Sequence, residues 1–312
     1  MKSTEMAAGN RFSGSLGPHV CFSAFVIVAG FLTLSLWRSL VSYSLRDDSY
    51  SHILLIPLIS VFLIVMDRKA VFREIRSSIG FSVVLIALGA FGFWRASRQS
   101  FSDNGRLFLS LASLAVVIIL TGGFLLCYGQ RATRAALFPL LFLLFMVPWP
   151  DLILGPTVSF LQEGSTDVAC FIFRLVGVPN LRQGFVVSLP TVTIQVASEC
   201  SSIRSSMALL ITCVLAAHFA LRTHWRTWLF AALVVPFSVI KNGIRIATLT
   251  LLGTCVDPSF LTGRLHNDGG FVFFFLALAM LWPLLRLLQR WESRGRRLSG
   301  DSTKAPAAGY AS

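Results

Sequence analysis

Leu107-Phe-Leu-Ser-Leu-Ala-Ser-Leu-Ala-Val-Val-Ile-Ile-Leu-Thr-Gly-Gly-Phe-Leu-Leu-Cys127 runs for twenty-one residues without a charged side chain. A helix of about 20 mostly apolar residues crosses a bilayer, because it satisfies its own backbone hydrogen bonds where no water is present. Working outward, similar stretches recur along the chain. We read eight spans, at 20–42, 52–67, 78–95, 106–127, 135–149, 201–220, 227–252 and 269–288. Over all 312 residues, 55% are hydrophobic and 13% charged, against about 25% charged in a soluble domain. Mean hydropathy is +0.73. The fold expected is an all-α integral membrane protein with about eight transmembrane helices.

The basic residues set the orientation. The formal charge is +13, but Lys and Arg sit in short loops and a tail between apolar spans. That pattern argues against nucleic acid and for contact with anionic lipid. One side collects sixteen Lys and Arg, including Arg68, Lys69, Arg73, Arg76, Arg222, Arg226 and the cluster from Arg286 to Lys304. The other collects six: Arg46, Arg95, Arg98, Arg106, Arg182 and Arg264. The positive-inside rule then puts both termini in the cytoplasm. The expected organisation is a cytoplasmic segment 1–19, one multi-span domain 20–290 and a basic, disordered cytoplasmic tail 291–312. No cleavable signal peptide is expected, since polar Met1–Pro18 leads into a span longer than an h-region.

Between the fifth and sixth spans the pattern changes. Leu152–Val176 carries Gln162, Glu163, Ser165, Thr166, Asp167 and Arg174 among apolar residues. An extracytoplasmic amphipathic helix, lying in the interface or re-entering it, fits this better than a full span. From Gly184 to Val196, β-branched residues alternate in part, which points to a short extracytoplasmic β-hairpin turning at Pro190-Thr191. That hairpin leads straight to Ser198-Glu199-Cys200-Ser201-Ser202-Ile203-Arg204.

Ionisable groups in or beside membrane spans are costly and mark functional sites by default. The orientation gathers Cys200, Arg204, Arg245 and His266 toward the extracytoplasmic side, with His218 and His224 at the other end. Six cysteines form no CxxC pair and no metal spacing, so no metal or cofactor is expected. Cys200 admits two readings, a packed membrane cysteine or a nucleophile. Its acidic and basic neighbours favour the second. A helix start and a nearby guanidinium both lower a thiol pKa. A histidine can take the thiol proton and return it to a leaving amine, and an arginine can stabilise an oxyanion. Arg245 is otherwise a structural or snorkelling cation, His266 an ordinary loop histidine, and Lys241 a structural or proton-path residue on the same helix face.

At these residues the chain resembles the exosortase/archaeosortase family of membrane cysteine transpeptidases. The resemblance runs over about 47–290. It includes Asp47-Asp48-Ser49-Tyr50-Ser51-His52 with Pro57, Phe145-Met146-Val147-Pro148-Trp149-Pro150, and Leu161-Gln162. It continues through Gly177-Val178-Pro179, Gly184, Val196-Ala197-Ser198-Glu199-Cys200-Ser201 and Asn242-Gly243-Ile244-Arg245-Ile246 to His266. The resemblance implies Cys200 as nucleophile, Arg245 as transition-state stabiliser and His266 as general base and acid. Arg204, Glu199 and Asn242 are candidate supporting residues. It implies membrane-anchored substrates with a C-terminal Pro-Glu-Pro (PEP-CTERM-type) sorting signal, an exopolysaccharide-related acceptor, and a bacterial inner membrane with the site facing outward. Ser202 stands where the family usually has glycine after the Cys-Ser pair, and glycine there would permit closer backbone approach. The competing reading is a non-catalytic transporter or exopolysaccharide-export component with Arg204, Lys241 and Arg245 lining a polar path. Against it, Leu209–Ala217 and Leu276–Leu281 are nearly featureless, whereas a path needs polar groups through the full thickness. Hydrolysis without transfer is a third reading, because both reactions share one acyl-enzyme.

Overall fold

The computed structural model describes residues 16–98, 105–196, 203–257, 259 and 270–301. These form eleven α-helices, with two short 3-10 segments and one small sheet, in two compact units meeting in sequence at Asp151 and Leu152. The chain is an all-α membrane protein. Four described helices are long and apolar enough to cross a membrane, or six if each of two bent pairs is one span. Two more of the eight stretches read from sequence, 52–67 and 201–220, fall on Tyr50–Met66 and Arg204–Ala220, which are apolar helices of shorter length.

In the first unit α1 (Leu16–Leu32) and α2 (Leu34–Arg46) form one bent pair, turning by 73° at Thr33. The Thr33 hydroxyl donates to Ala29 O at 2.7 Å, a back-bond that bends helices. A 3-10 segment, Asp48–Leu54, leads into α3 (Leu55–Met66) and the single turn α4 (Arg68–Val71). Next come α5 (Ile79–Ser97) and α6 (Gly105–Ala135), which pack antiparallel. Glycines set that spacing: a Cβ on Gly89 would lie 2.6 Å from Ile119 Cγ1, and one on Gly122 would lie 2.8 Å from Ile86 Cγ1. Without a hydrophobic drive between helices in lipid, such small residues allow the close packing that holds them together. Gly129 interrupts α6 at φ +83°, against Arg76 O, where no side chain would fit. The unit ends with α7 (Leu137–Phe142) and a 3-10 turn at Leu143–Met146.

The second unit holds the candidate site. Its first helix, α8 (Asp151–Leu175), inverts ordinary amphipathicity. Gln162, Ser165 and Thr166 are buried with Leu161, Ala169, Cys170 and Phe173, while Leu152 is 86% exposed and Phe160 and Phe171 are also exposed. Glu163 and Asp167, one turn apart, form a separate exposed stripe. A polar face turned inward and an apolar face outward is what a lipid surrounding selects. Gly177, at φ +78°, closes the helix, with Gly177 N donating to Arg174 O at 3.1 Å and Val178 N to Phe173 O at 2.8 Å. That pair of bonds satisfies carbonyls the helix end leaves open.

The expected strand pair is present, and a third strand joins it. β1 (Leu181–Gln183), β2 (Val186–Ser188) and β3 (Thr193–Gln195) form an antiparallel sheet in that order. Gln183 pairs with Val186 across a two-residue loop in which Gly184 takes φ +62°, and Val186 pairs with Gln195. β1 escaped the sequence reading because Leu181-Arg182-Gln183 shows no apolar alternation. Its Arg182 instead bridges to Asp167, tying the sheet to α8. Val187 and Leu189 are buried against Ala169, Cys170 and Phe173 of α8 and Ala247 of the helix described next.

α9 (Ile203–Ala220), α10 (His224–Cys255) and α11 (Gly270–Asp301) pack around Leu209, Cys213, Ala217, Phe230, Val234, Ala277, Leu281 and Leu285. Two α11 side chains clasp the turn between α9 and α10. Gln289 Nε2 donates to Ala220 O at 3.3 Å, while the Glu292 carboxylate accepts from Arg222 N at 3.2 Å and from the Thr223 hydroxyl at 2.5 Å. An amide at the C-terminal end of one helix and a carboxylate at the N-terminal end of the next both oppose the local dipole charge. α11 continues as helix past Arg290 and Arg297.

Candidate active site

Three of the residues singled out from sequence, Glu199, Cys200 and His266, lie outside the described residues, as does Ser202. The other three, Arg204, Asn242 and Arg245, are described, and they occupy two neighbouring helices of one unit. Arg204 is exposed in the first turn of α9. Arg245 is half-buried on α10, and Asn242 precedes it by one turn with 1% exposure. Helical spacing puts Lys241, Asn242 and Arg245 on overlapping faces, since residues three and four apart are neighbours.

Lys241 provides a polar link between the two helices. It is 1% exposed, and its ammonium donates a hydrogen bond to Ser205 Oγ. This contact joins the α10 face bearing Asn242 and Arg245 to the first turn of α9, one residue beyond Arg204. Asn242 differs from its neighbour in a second respect. Neither its amide oxygen nor its amide nitrogen has a hydrogen-bond partner among the described residues. A buried polar group left so costs about 1–3 kcal/mol.

α8 meets α10 and the end of the sheet. A Cβ on Gly243 would lie 2.5 Å from Val168 Cβ and 3.0 Å from Ser165 O, and one on Gly164 would lie 2.9 Å from Val239 Cγ1. The two glycines let α8 and α10 approach closely where they cross. That closeness accounts for a glycine directly after Asn242. From the buried face of α8, Gln162 donates its side-chain amide to Val196 O. Val196 N donates to Phe185 O at 2.9 Å. Both main-chain groups of Val196, four residues ahead of Cys200, are thereby fixed.

Sequence reasoning identified Asn242 and Arg245 but not the Lys241–Ser205 pair or the part played by Gln162. The only signal was one of expense, since an ammonium and an amide inside apolar helices need a reason. Among the described residues no group of His, Cys, Asp and Glu could hold a metal ion.

The fold and these residues define a multi-span membrane protein with a buried polar cluster where two of its helices meet. Most of its length, residues 37–283, matches a family model described as transmembrane exosortase, and the chain belongs to that family of membrane-embedded, sorting-related transpeptidases. No similar protein was found among curated sequences, and none among solved structures.

Proposed function

We propose that this protein is a membrane cysteine transpeptidase that cleaves a C-terminal PEP-CTERM-type sorting signal from exported, membrane-anchored proteins. In this reading Cys200 attacks the scissile carbonyl, forming a C–S bond and a tetrahedral oxyanion. His266 takes the thiol proton and gives it to the departing amine as the C–N bond breaks. Arg245 donates to the oxyanion. The thioester is then resolved by an acceptor nucleophile at the outer face of the bacterial inner membrane, an exopolysaccharide-related group in the family's usual setting. Resolution by water would give the hydrolytic variant of the same chemistry.

The observation carrying the reading is the Lys241–Ser205 contact, which sets the helix of Arg245 against the helix that follows Cys200 in sequence. Asn242 supports it, because a buried amide without a partner among the described residues suits a group that meets substrate. Arg204 and Glu199, which flank Cys200, are proposed to tune the thiol rather than react.

Co-expression with a reporter ending in Pro-Glu-Pro, an apolar helix and a basic tail tests the reading. Wild type should shift the reporter on a gel, and Cys200→Ala at equal protein level should not. A shift that survives in Cys200→Ala would remove the cysteine from the mechanism and bring the transporter reading forward.

A further inference from the structure

Val196 and Ser205 are described positions before and after Cys200 in sequence, and each is held by a side chain from another helix. Nine residues of extended chain reach about 30 Å, so the sequence between them leaves a nucleophile wide latitude. Each flank is gripped by a buried polar side chain from a separate helix. Gln162 of α8, 8% exposed, donates to the carbonyl of Val196. Lys241 of α10, 1% exposed, donates to the hydroxyl of Ser205. We propose that Gln162 and Lys241 are positioning residues, a two-point clamp holding both flanks of the stretch that contains Cys200. The proposal rests on the reading of Cys200 as nucleophile and goes beyond it.

Three features favour a clamp over incidental packing. Gln162 is buried, yet its amide, not an apolar side chain, faces the strand end. The carbonyl it meets belongs to a residue whose N–H is already used in the sheet, so the contact completes Val196 and fixes its direction. At the other flank Lys241 donates and Ser205, in the first turn of α9, accepts. The first turn of a helix is where unsatisfied N–H groups and the positive dipole end lie. Holding that turn in place is a way to hold a thiolate-stabilising field in place. The two grips come from helices that approach each other closely at Gly164 and Gly243.

The test uses the full-length enzyme, purified in detergent, with a peptide substrate carrying the sorting signal. Gln162→Met and Lys241→Met remove the donors at similar length, and Lys241→Arg keeps one. Displacement of a reacting group by about 1 Å can cost on the order of 100-fold. We expect both Met variants to lose about ten- to 100-fold in kcat with KM changed less than about threefold. The pH dependence of Cys200 alkylation should move with them, and Lys241→Arg should recover much of the loss. Parent kcat in both Met variants, with Cys200→Ala inactive, would overturn the clamp and leave the cysteine reading standing. Equal losses in Lys241→Met and Lys241→Arg, tracking a fall in Tm, would also overturn it, reducing Lys241 to packing. Undiminished turnover by Cys200→Ala would instead sink the nucleophile reading, and this proposal with it.

Discussion

Arg245 sits in an apolar helix where a guanidinium costs about 2.5–3.5 kcal/mol on insertion scales when placed centrally. Proposed as the oxyanion donor, it should not be replaceable by another cation. Lysine is a point charge without the planar fork. We therefore expect Arg245→Lys as well as Arg245→Ala to lower the processing rate by at least about 100-fold, with His266→Ala similarly impaired. Near-normal rates in either arginine variant would exclude that role. Asn242 offers a sharper contrast. Because its buried amide lacks a partner among the described residues, Asn242→Leu should leave Tm unchanged or raise it while reducing turnover. Groups retained for function against stability behave this way. A fall in Tm without loss of rate would mark Asn242 as structural. Arg245 and Asn242 were legible because charge and amide stand out in an apolar run. Lys241 and Gln162 stood out equally, but which chain segment each would meet is a tertiary fact that no spacing encodes.

The helices of the second unit owe their arrangement to small residues and a few polar grips. Gly243 faces Val168 and Ser165 O so closely that any side chain forces α8 and α10 apart. Gly243→Ala should cost about 1–3 kcal/mol, the usual price of overpacking, read as a lower Tm in detergent. A Cβ on Gly155, on the same α8, would meet nothing within 4 Å among the described residues. There Gly→Ala should be neutral or stabilising by up to about 1 kcal/mol. Equal effects at both positions would contradict the crossing. Glu292 makes a separate test, since it accepts from both Arg222 N and the Thr223 hydroxyl. Glu292→Ala strands those donors, and we expect a loss of about 1–3 kcal/mol. The long apolar helices were legible from hydropathy alone. The inward polar face of α8 was not, because in lipid the exposed side is the apolar one, and a moment calculated from sequence carries no sign of its surroundings. β1 was missed for a related reason: it is held by Arg182–Asp167 and by pairing with β2, not by apolar alternation.

For the whole molecule, the outward-facing apolar residues and the apolar helices define a multi-pass membrane protein. Orientation rests on the sixteen-to-six distribution of Lys and Arg. Fusion reporters should show both termini in the cytoplasm, and an impermeant thiol reagent applied from outside should label Cys200. Periplasmic activity of a C-terminal fusion would reverse the topology and set the site on the wrong face for exported substrates. The most direct test of the central claim is mass spectrometry of the Cys200 peptide after brief reaction with substrate. We expect a substrate-derived acyl adduct on Cys200 that hydroxylamine releases, as a thioester requires. Substrate processed at the wild-type rate while Cys200 stays unmodified, and while Cys200→Ala performs equally well, would contradict it.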